Sequence, residues 1–215
     1  AVVIEGGALA LNGVYTQIDG SLDLAGGNLT TAGALDLQAG VLKGSGMITG
    51  SANMGASAEL ALGLGGIIRG TGYDAIDFTG NFTRGGTLTV SLTNGFLPVS
   101  GATFDLWNAG STAGSFSTIT LPTLPGSLAW DTSNLASDGQ ITVTGGALTY
   151  AEFSAFHGLT GGEGDDDDGD LLSNALEFQL GTSPVSGNTD SSRTFTNSGT
   201  TTTVSIVLPA VTPGN

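Results

Sequence analysis

The sequence predicts an all-β protein: a right-handed parallel β-solenoid, a β-rich capping region after it, and a short helix–loop–helix built around an aspartate run. Three observations carry this reading. A strand-like unit recurs at a fixed spacing near the N-terminus. Glycines punctuate short alternating apolar runs. A cluster of carboxylates then stands between two short helical patterns.

Composition supports a β architecture first. The 215 residues include 37 Gly, and only 11 % are charged. Helical proteins need charged residues to solvate their outer faces, whereas strands can present Thr, Ser and Asn to water. The glycines lack the three-residue period of collagen and fall where turns belong.

The repeat defines the first segment, residues 1–70. Ala8-Leu9-Ala10-Leu11, Ser21-Leu22-Asp23-Leu24 and Ala34-Leu35-Asp36-Leu37 are one unit recurring at a constant interval. Each has the period-2 pattern of a strand with one buried face. A helix would send its i and i+2 leucines to opposite sides. Asn12-Gly13, Gly26-Gly27 and Ala39-Gly40 supply the turns. A second short strand follows each turn, with Leu29 and Leu42 in one slot and Thr16 in the same slot of the first copy. Stacked coils would align Leu9, Leu22 and Leu35 in one ladder and Leu11, Leu24 and Leu37 in another. An antiparallel meander is the competing reading.

Residues 71–146 form the expected cap. Strands are predicted near 73–79, 87–93, 103–108, 115–121, 128–131 and 140–144. Trp107, Trp130, Phe78, Phe82, Phe96, Phe104 and Phe116 all lie here. Bulky aromatics suit the closing of an open solenoid end, which otherwise exposes strand edges; stacking on a sugar is the alternative use of the tryptophans.

The runs Leu42-Lys43-Gly44-Ser45-Gly46-Met47-Ile48-Thr49-Gly50 and Tyr73-Asp74-Ala75-Ile76-Asp77-Phe78-Thr79-Gly80, then Gly86-Thr87-Leu88-Thr89-Val90, resemble segments of autotransporter-type β-helix passenger proteins over residues 8–146. Gly114-Ser115-Phe116, Leu124-Pro125 and Leu128-Ala129-Trp130 continue the resemblance. It implies an extracellular, adhesive or shape-giving stalk with no shared catalytic residues.

The segment 147–187 carries the sharpest chemistry. Asp165 to Asp168 and Asp170 place five like charges within six positions, which repel unless solvated or held around a cation. With Asp166 first, Asp168, Asp170, the Leu172 carbonyl, Asn174 and Glu177 fall at positions 3, 5, 7, 9 and 12 of an EF-hand-type loop. Hard oxygen donors in that spacing select Ca²⁺. Position 6, where glycine normally makes the sharp turn, is Leu171. Residues 172–180 are predicted helical, with Leu172, Leu176 and Leu180 on one face and Gly181 as the C-cap. Residues 150–159 are predicted as a second helix, with Phe153 and Phe156 on one face. Asp166 to Asp190 resembles a bacterial thrombospondin type 3 repeat, through Gly181-Thr182-Ser183-Pro184 and Asn188-Thr189-Asp190 as well as the acidic loop. That resemblance implies a calcium-stiffened spacer.

The remaining segment, 188–215, is Ser/Thr-rich. Residues 201–208 read as a lone strand that pairs with the middle region, opens a further domain or joins a neighbouring subunit.

Charge and composition narrow the functions. Nineteen acidic against four basic residues give −15 at pH 7, which repels nucleic acid and anionic membranes and attracts cations. No cysteine is present, so no disulfide or thiolate site is expected. No 18-residue apolar run is present, and no signal peptide opens the chain, which reads as an internal fragment or a processed product. His157 is the only histidine and the only possible base of a Ser-His-Asp triad. The expectation is a non-catalytic bacterial surface or matrix protein whose surface or polysaccharide ligand is unknown. Two alternatives stand beside it. One is a polysaccharide-active β-helix enzyme using Arg69, Arg84, Asp74 or Asp77. The other is a homo-oligomer or fibre joined through strand edges.

Overall fold

A computed structural model describes residues 1–187, together with the backbone of residues 193–198 and 201–206. The chain is mostly β, and its principal feature is a large parallel sheet curled into a half-barrel.

The sheet is made of three ladders that the chain visits in a fixed cyclic order. β1 (Val2–Val3), β2 (Ala8–Leu11) and β3 (Tyr15–Gln17) start the three. β4 (Ser21–Asp23) lies parallel to β1, β5 (Asn28–Thr31) to β2, and the first half of β6 (Leu35–Lys43) to β3. The second half of β6 rejoins the β1–β4 ladder. β7 (Gly46–Thr49) and β8 (Ala52–Leu64) add the next rung to all three, as do β9 (Ile76–Arg84) and β10 (Thr87–Leu92) after them. The last rung combines β12 (Trp107–Gly114) and β13 (Thr118–Thr120). The chain beyond Gly70, where the sequence repeat is lost, therefore continues the same ladders.

The register corrects the expected stacking. Ala8 stands beside Asn28, Tyr15 beside Leu35 and Ser21 beside Val41, the same offset in each case. Leu9 therefore stacks on Leu29 and Ile48, Leu22 on Leu42 and Leu60, and Leu35 between Tyr15 and Ala52. The repeat in the sequence is real, but the step from Ala8 to Ser21 crosses only two of the three faces, whereas a full turn runs from Ala8 to Asn28. Leu9, Leu22 and Leu35 all point inward, each from a different ladder. Leu22, Leu24, Leu29, Leu35, Leu37 and Leu42 are fully buried, while Thr16 faces out. Side-chain alternation places the intervening Asp23 and Lys43 outside, where they form an ion pair of 3.2 Å.

Two insertions lengthen the later turns. Residues 65–75 and 93–106 both leave the sheet between the β1–β4 ladder and the β2–β5 ladder, so they stack at one corner. Arg69 of the first insertion forks onto Asp77 at 2.8 and 3.1 Å and donates from Nε to the Asp105 carbonyl of the second. Burial works against the Asp77 charge, but the hydrogen bonds from Arg69 and Asn108 outweigh it and hold the carboxyl below its ordinary range.

The core is closed by aromatics and a separate antiparallel sheet. β11 (Thr103–Asp105), β14 (Ala129–Asp131) and β15 (Gln140–Thr144) form that sheet in the order β11-β15-β14, and α1 (Leu135–Asp138) joins β14 to β15. Phe78 stacks on Phe82 with centroids 4.2 Å apart, and Phe82 meets Trp107 edge-on at 5.9 Å. Trp107 is buried, and the Trp130 indole N–H donates to the Pro122 carbonyl at 2.8 Å. Trp107 thus packs inward, and the half-buried Trp130 meets Phe104 edge-on at 6.0 Å.

α2 (Tyr150–His157) and α3 (Asn174–Leu180) follow. Thr149 and Glu152 form a capping box on α2, and Ser173 caps α3. Gly181 ends α3 in the left-handed conformation, as its position predicts. Phe153 is buried but Phe156 is exposed, so the two do not share a buried face. Leu172 is fully buried while Leu180 is exposed, so the expected single apolar face of 172–180 is not a continuous one. Residues 201–206 form a strand, β17, that pairs antiparallel with β16 (Arg193–Ser198) as a hairpin. Val207 and Leu208 of the expected strand, and Asn188 to Asp190 of the expected repeat, lie outside the described residues.

Candidate metal centre

The aspartate run divides by parity. Asp166, Asp168 and Asp170 turn to one side, with a carboxylate oxygen of each within 4.8 Å of the others. Asp165 and Asp167 turn to backbone elsewhere: Asp165 accepts from the Gly162 N–H at 2.7 Å, and Asp167 from those of Thr160 and Gly161 at 2.9 and 3.2 Å.

The loop is folded around its first aspartate. Asp166 accepts from the N–H groups of Gly169 at 2.7 Å, Asp170 at 3.2 Å and Leu171 at 2.9 Å. Asp168 and Asp170 each accept from the N–H two residues ahead, at 3.2 and 2.9 Å. These local bonds bend the chain so that three carboxylates face inward. Gly169 and Leu171 both have positive φ, 78° and 79°. Leu171 therefore makes the turn that position 6 demands, with a side chain that disfavours it.

Glu177 of α3 lies near enough to feel the charges of these three aspartates, though it stands outside the group whose oxygens approach within 4.8 Å of one another. It is fully buried, and no hydrogen bond reaches either of its carboxylate oxygens; one oxygen of Asp168 is buried in the same condition. Burial, with the charges of Asp168, Asp170 and Asp166, raises the Glu177 carboxyl to about 8, the nearby Thr182 hydroxyl acting weakly in the other direction. Burial, with the charges of Asp170 and Asp166, raises Asp168 as well. No described basic side chain reaches Glu177. Lys43 is at Asp23, Arg69 at Asp77, and Arg84 at the Ala136 carbonyl. A buried carboxylate without a partner is costly, and the Asp166, Asp168 and Asp170 triad beside Glu177 could hold a metal ion.

The other expected ligand positions have distinct roles. The Asn174 side chain is buried and engaged, accepting from the Asp167 N–H at 3.3 Å and donating to the Gly162 carbonyl and Asp167 at 3.1 Å each. It braces the loop from behind. The buried Leu172 side chain anchors the loop, and its N–H is taken by Asp170. The Asn174 bond, ahead of bonds from Thr160 and Gly161, holds the Asp167 carboxyl below its ordinary range. Ligand spacing does not reveal this brace; the alternation of the five aspartates is the sequence signal that points to it.

The residues considered for catalysis are occupied elsewhere. Asp74 accepts from the Ser45 hydroxyl at 3.2 Å and the Gly63 N–H at 2.9 Å. Arg69 and Asp77 hold each other, and Arg84 binds main-chain carbonyls of Ala113 and Ala136. His157 packs against the rings of Phe153 and Phe156, and burial lowers its pKa. No helix among the described residues is long and apolar enough to cross a membrane.

No protein-family model, no curated protein and no solved structure matches the chain.

Proposed function

We propose that this chain is a non-catalytic extracellular surface or matrix protein, a right-handed parallel β-solenoid stalk stiffened by one bound Ca²⁺. The observation that carries the reading is Glu177, a fully buried carboxylate with neither oxygen hydrogen-bonded, beside Asp166, Asp168 and Asp170. Those four carboxylates would hold the ion, and the Asp167–Asn174 brace would keep them converged. An all-oxygen donor set of several carboxylates suits Ca²⁺, which accepts six to eight oxygens at varied angles, better than Mg²⁺, which keeps its waters. The solenoid reading is supported by three parallel ladders entered in unvarying order and by a core of stacked leucines and aromatics. A long, rigid β surface with few charges fits a spacer or adhesive stalk, whose ligand would be a partner surface or polysaccharide. The catalytic alternative draws no support from Arg69, Asp74, Asp77 or Arg84, which brace the fold.

Calorimetric titration of the whole chain with calcium, beside an Asp168→Ala/Glu177→Ala variant, tests the reading. Saturable binding of one ion, lost in the variant and accompanied by a thermal shift only in the wild type, is the expected result. A wild-type chain that takes up no calcium would sink the proposal.

A further inference from the structure

The cation cluster is joined to the flank of the sheet by an unbroken series of contacts. Phe178 follows Glu177 on α3, so their side chains leave the helix about 100° apart. Glu177 faces the aspartates, while Phe178 packs on Phe153 and Tyr150 at centroid distances of 5.2 and 5.9 Å. Phe178 also lines an apolar cavity of about 250 Å³ with Leu97 and Val99 of the second corner insertion and Leu148 of the linker. Beyond the helix, Thr182 donates its N–H to the Glu177 carbonyl at 3.1 Å and lines the same cavity. Ser183 then lies directly against Gly95 of the insertion. A Cβ on Gly95 would overlap the Ser183 hydroxyl and come within 2.8 Å of its Cβ, which cannot rotate away. The far end of this insertion is β11, a strand of the closing antiparallel sheet.

We propose that the cation loop is a clasp, which fastens α3 and the segment after it to the 93–106 insertion when the ion binds. This rests on the calcium reading of the previous subsection. Binding the ion fixes Glu177. Fixing Glu177 sets the rotation of α3, which seats Phe178 in the cavity and Ser183 on Gly95. Without the ion, buried Glu177 has no hydrogen-bond partner, which favours withdrawal of α3 from the loop, and Phe178 and Ser183 leave with it. The closing sheet is thereby tied to the helix–loop–helix only in the presence of calcium.

Hydrogen exchange of the full chain, with calcium and with a chelator, separates the possibilities. Calcium is expected to slow exchange by about tenfold or more in both residues 163–177 and residues 95–102. In Gly95→Ala, calcium should still protect 163–177 but no longer 95–102. Gly101→Ala is the matched control: its φ of +87° imposes similar backbone strain, but its Cβ meets nothing within 4 Å, so it should behave as wild type. Phe178→Leu takes the place of Gly95→Ala if that variant does not fold, with the same expected split. Protection of 163–177 in the wild type without any change at 95–102 overturns the clasp and leaves the calcium site standing. Calcium without effect on either segment overturns both.

Discussion

Leu171 offers the sharpest test of the loop geometry. It occupies φ +79°, where an L-residue is disfavoured by about 1–2 kcal/mol because its Cβ crowds the following carbonyl. Its side chain is 70 % exposed, so packing explains little of its presence. Substitution by glycine alone would mix relief of strain with loss of the remaining side-chain contacts. Comparing Leu171→Gly with Leu171→Ala removes that ambiguity, since both lose everything beyond Cβ. At an ordinary position alanine is the more stable by about 0.4–1 kcal/mol, because glycine gains freedom in the unfolded chain. In the left-handed region the strain on alanine exceeds that difference, and the order inverts. Leu171→Gly should be more stable than Leu171→Ala by about 0.5–1 kcal/mol, the strain less the entropy. Denaturant-dependent hydrogen exchange at the α3 amides, in saturating calcium, reads this local stability directly. If the turn forms only around the ion, the same energy reappears as affinity, up to about fivefold tighter for glycine than for alanine. Alanine equal to or better than glycine in both measurements would show that residue 171 does not make a left-handed turn, and the assignment of position 6 would fail.

Three further outcomes follow from the geometry. Leu22→Ala should cost about 3 kcal/mol in urea denaturation and Leu9→Ala about half as much, because Leu22 is fully buried between rungs and Leu9 lies half-buried in the first rung; equal costs would show that Leu9 is as fully enclosed as Leu22 and that the first rung does not end the stack. Arg69→Met should destabilise by about 0.5–1 kcal/mol at neutral pH, since the pair is partly exposed. Asp77 is held below its ordinary range, so its contribution is complete above the unfolded carboxyl pKa and fades as acid protonates it; the gap between wild type and variant should close at low pH, and a gap that persists there would place the effect in packing. Glu177→Gln should raise thermal stability in chelator at pH 7, because it removes a buried carboxylate without a partner, and should lower it relative to wild type in calcium. The same order in both conditions would remove Glu177 from the ion's shell.

The parallel strands were legible because their leucines alternate, a property each strand carries by itself. Their register was not. Ala8-Leu9-Ala10-Leu11 resembles Ser21-Leu22-Asp23-Leu24 far more than its true neighbour, Asn28-Leu29-Thr30-Thr31. Ladder neighbours need only matching volume and inward direction, so Leu9, Leu29 and Ile48 can stack without any likeness in the residues around them. Likeness of sequence followed the strand-and-turn unit, which recurs at every second face. The later turns hid the ladders for a different reason. Insertions 65–75 and 93–106 widen the separation of ladder neighbours from that of Leu9 and Leu29 to that of Ile48 and Phe78, or of Leu88 and Ile119. A period of that length with two irregular corners does not register as a repeat. The glycines at the corners did mark the path: Gly86, in the run Gly86-Thr87-Leu88-Thr89-Val90, turns at φ +61° so close to the Ala58 carbonyl that any side chain would overlap it.

For the acidic loop, spacing picks out three aspartates that converge, and it says nothing of the hydrogen bonds that hold them there. A ligand pattern assigns one role to every oxygen at a fixed interval, so it places Asn174 beside the ion because that residue stands at position 9. In the fold, the same interval also carries the loop's own scaffolding. Asp165 and Asp167 cannot join the cluster without adding charge to the site of Asp166, Asp168 and Asp170, so they are satisfied on the opposite side. Asp167 meets this need with the N–H groups of Thr160 and Gly161 and with the Asn174 amide. Asn174 is neutral and can both donate and accept, which lets it bridge Asp167 to the Gly162 carbonyl. A carboxylate at this position could not donate either bond. A loop with alternating aspartates thus needs a neutral amide behind it as much as a glutamate in front. The substitution Asn174→Asp would then break the brace while leaving Asp166, Asp168, Asp170 and Glu177 in place, and calcium affinity should fall; an affinity equal to wild type would mean that the convergence of the aspartates is set by the ion alone.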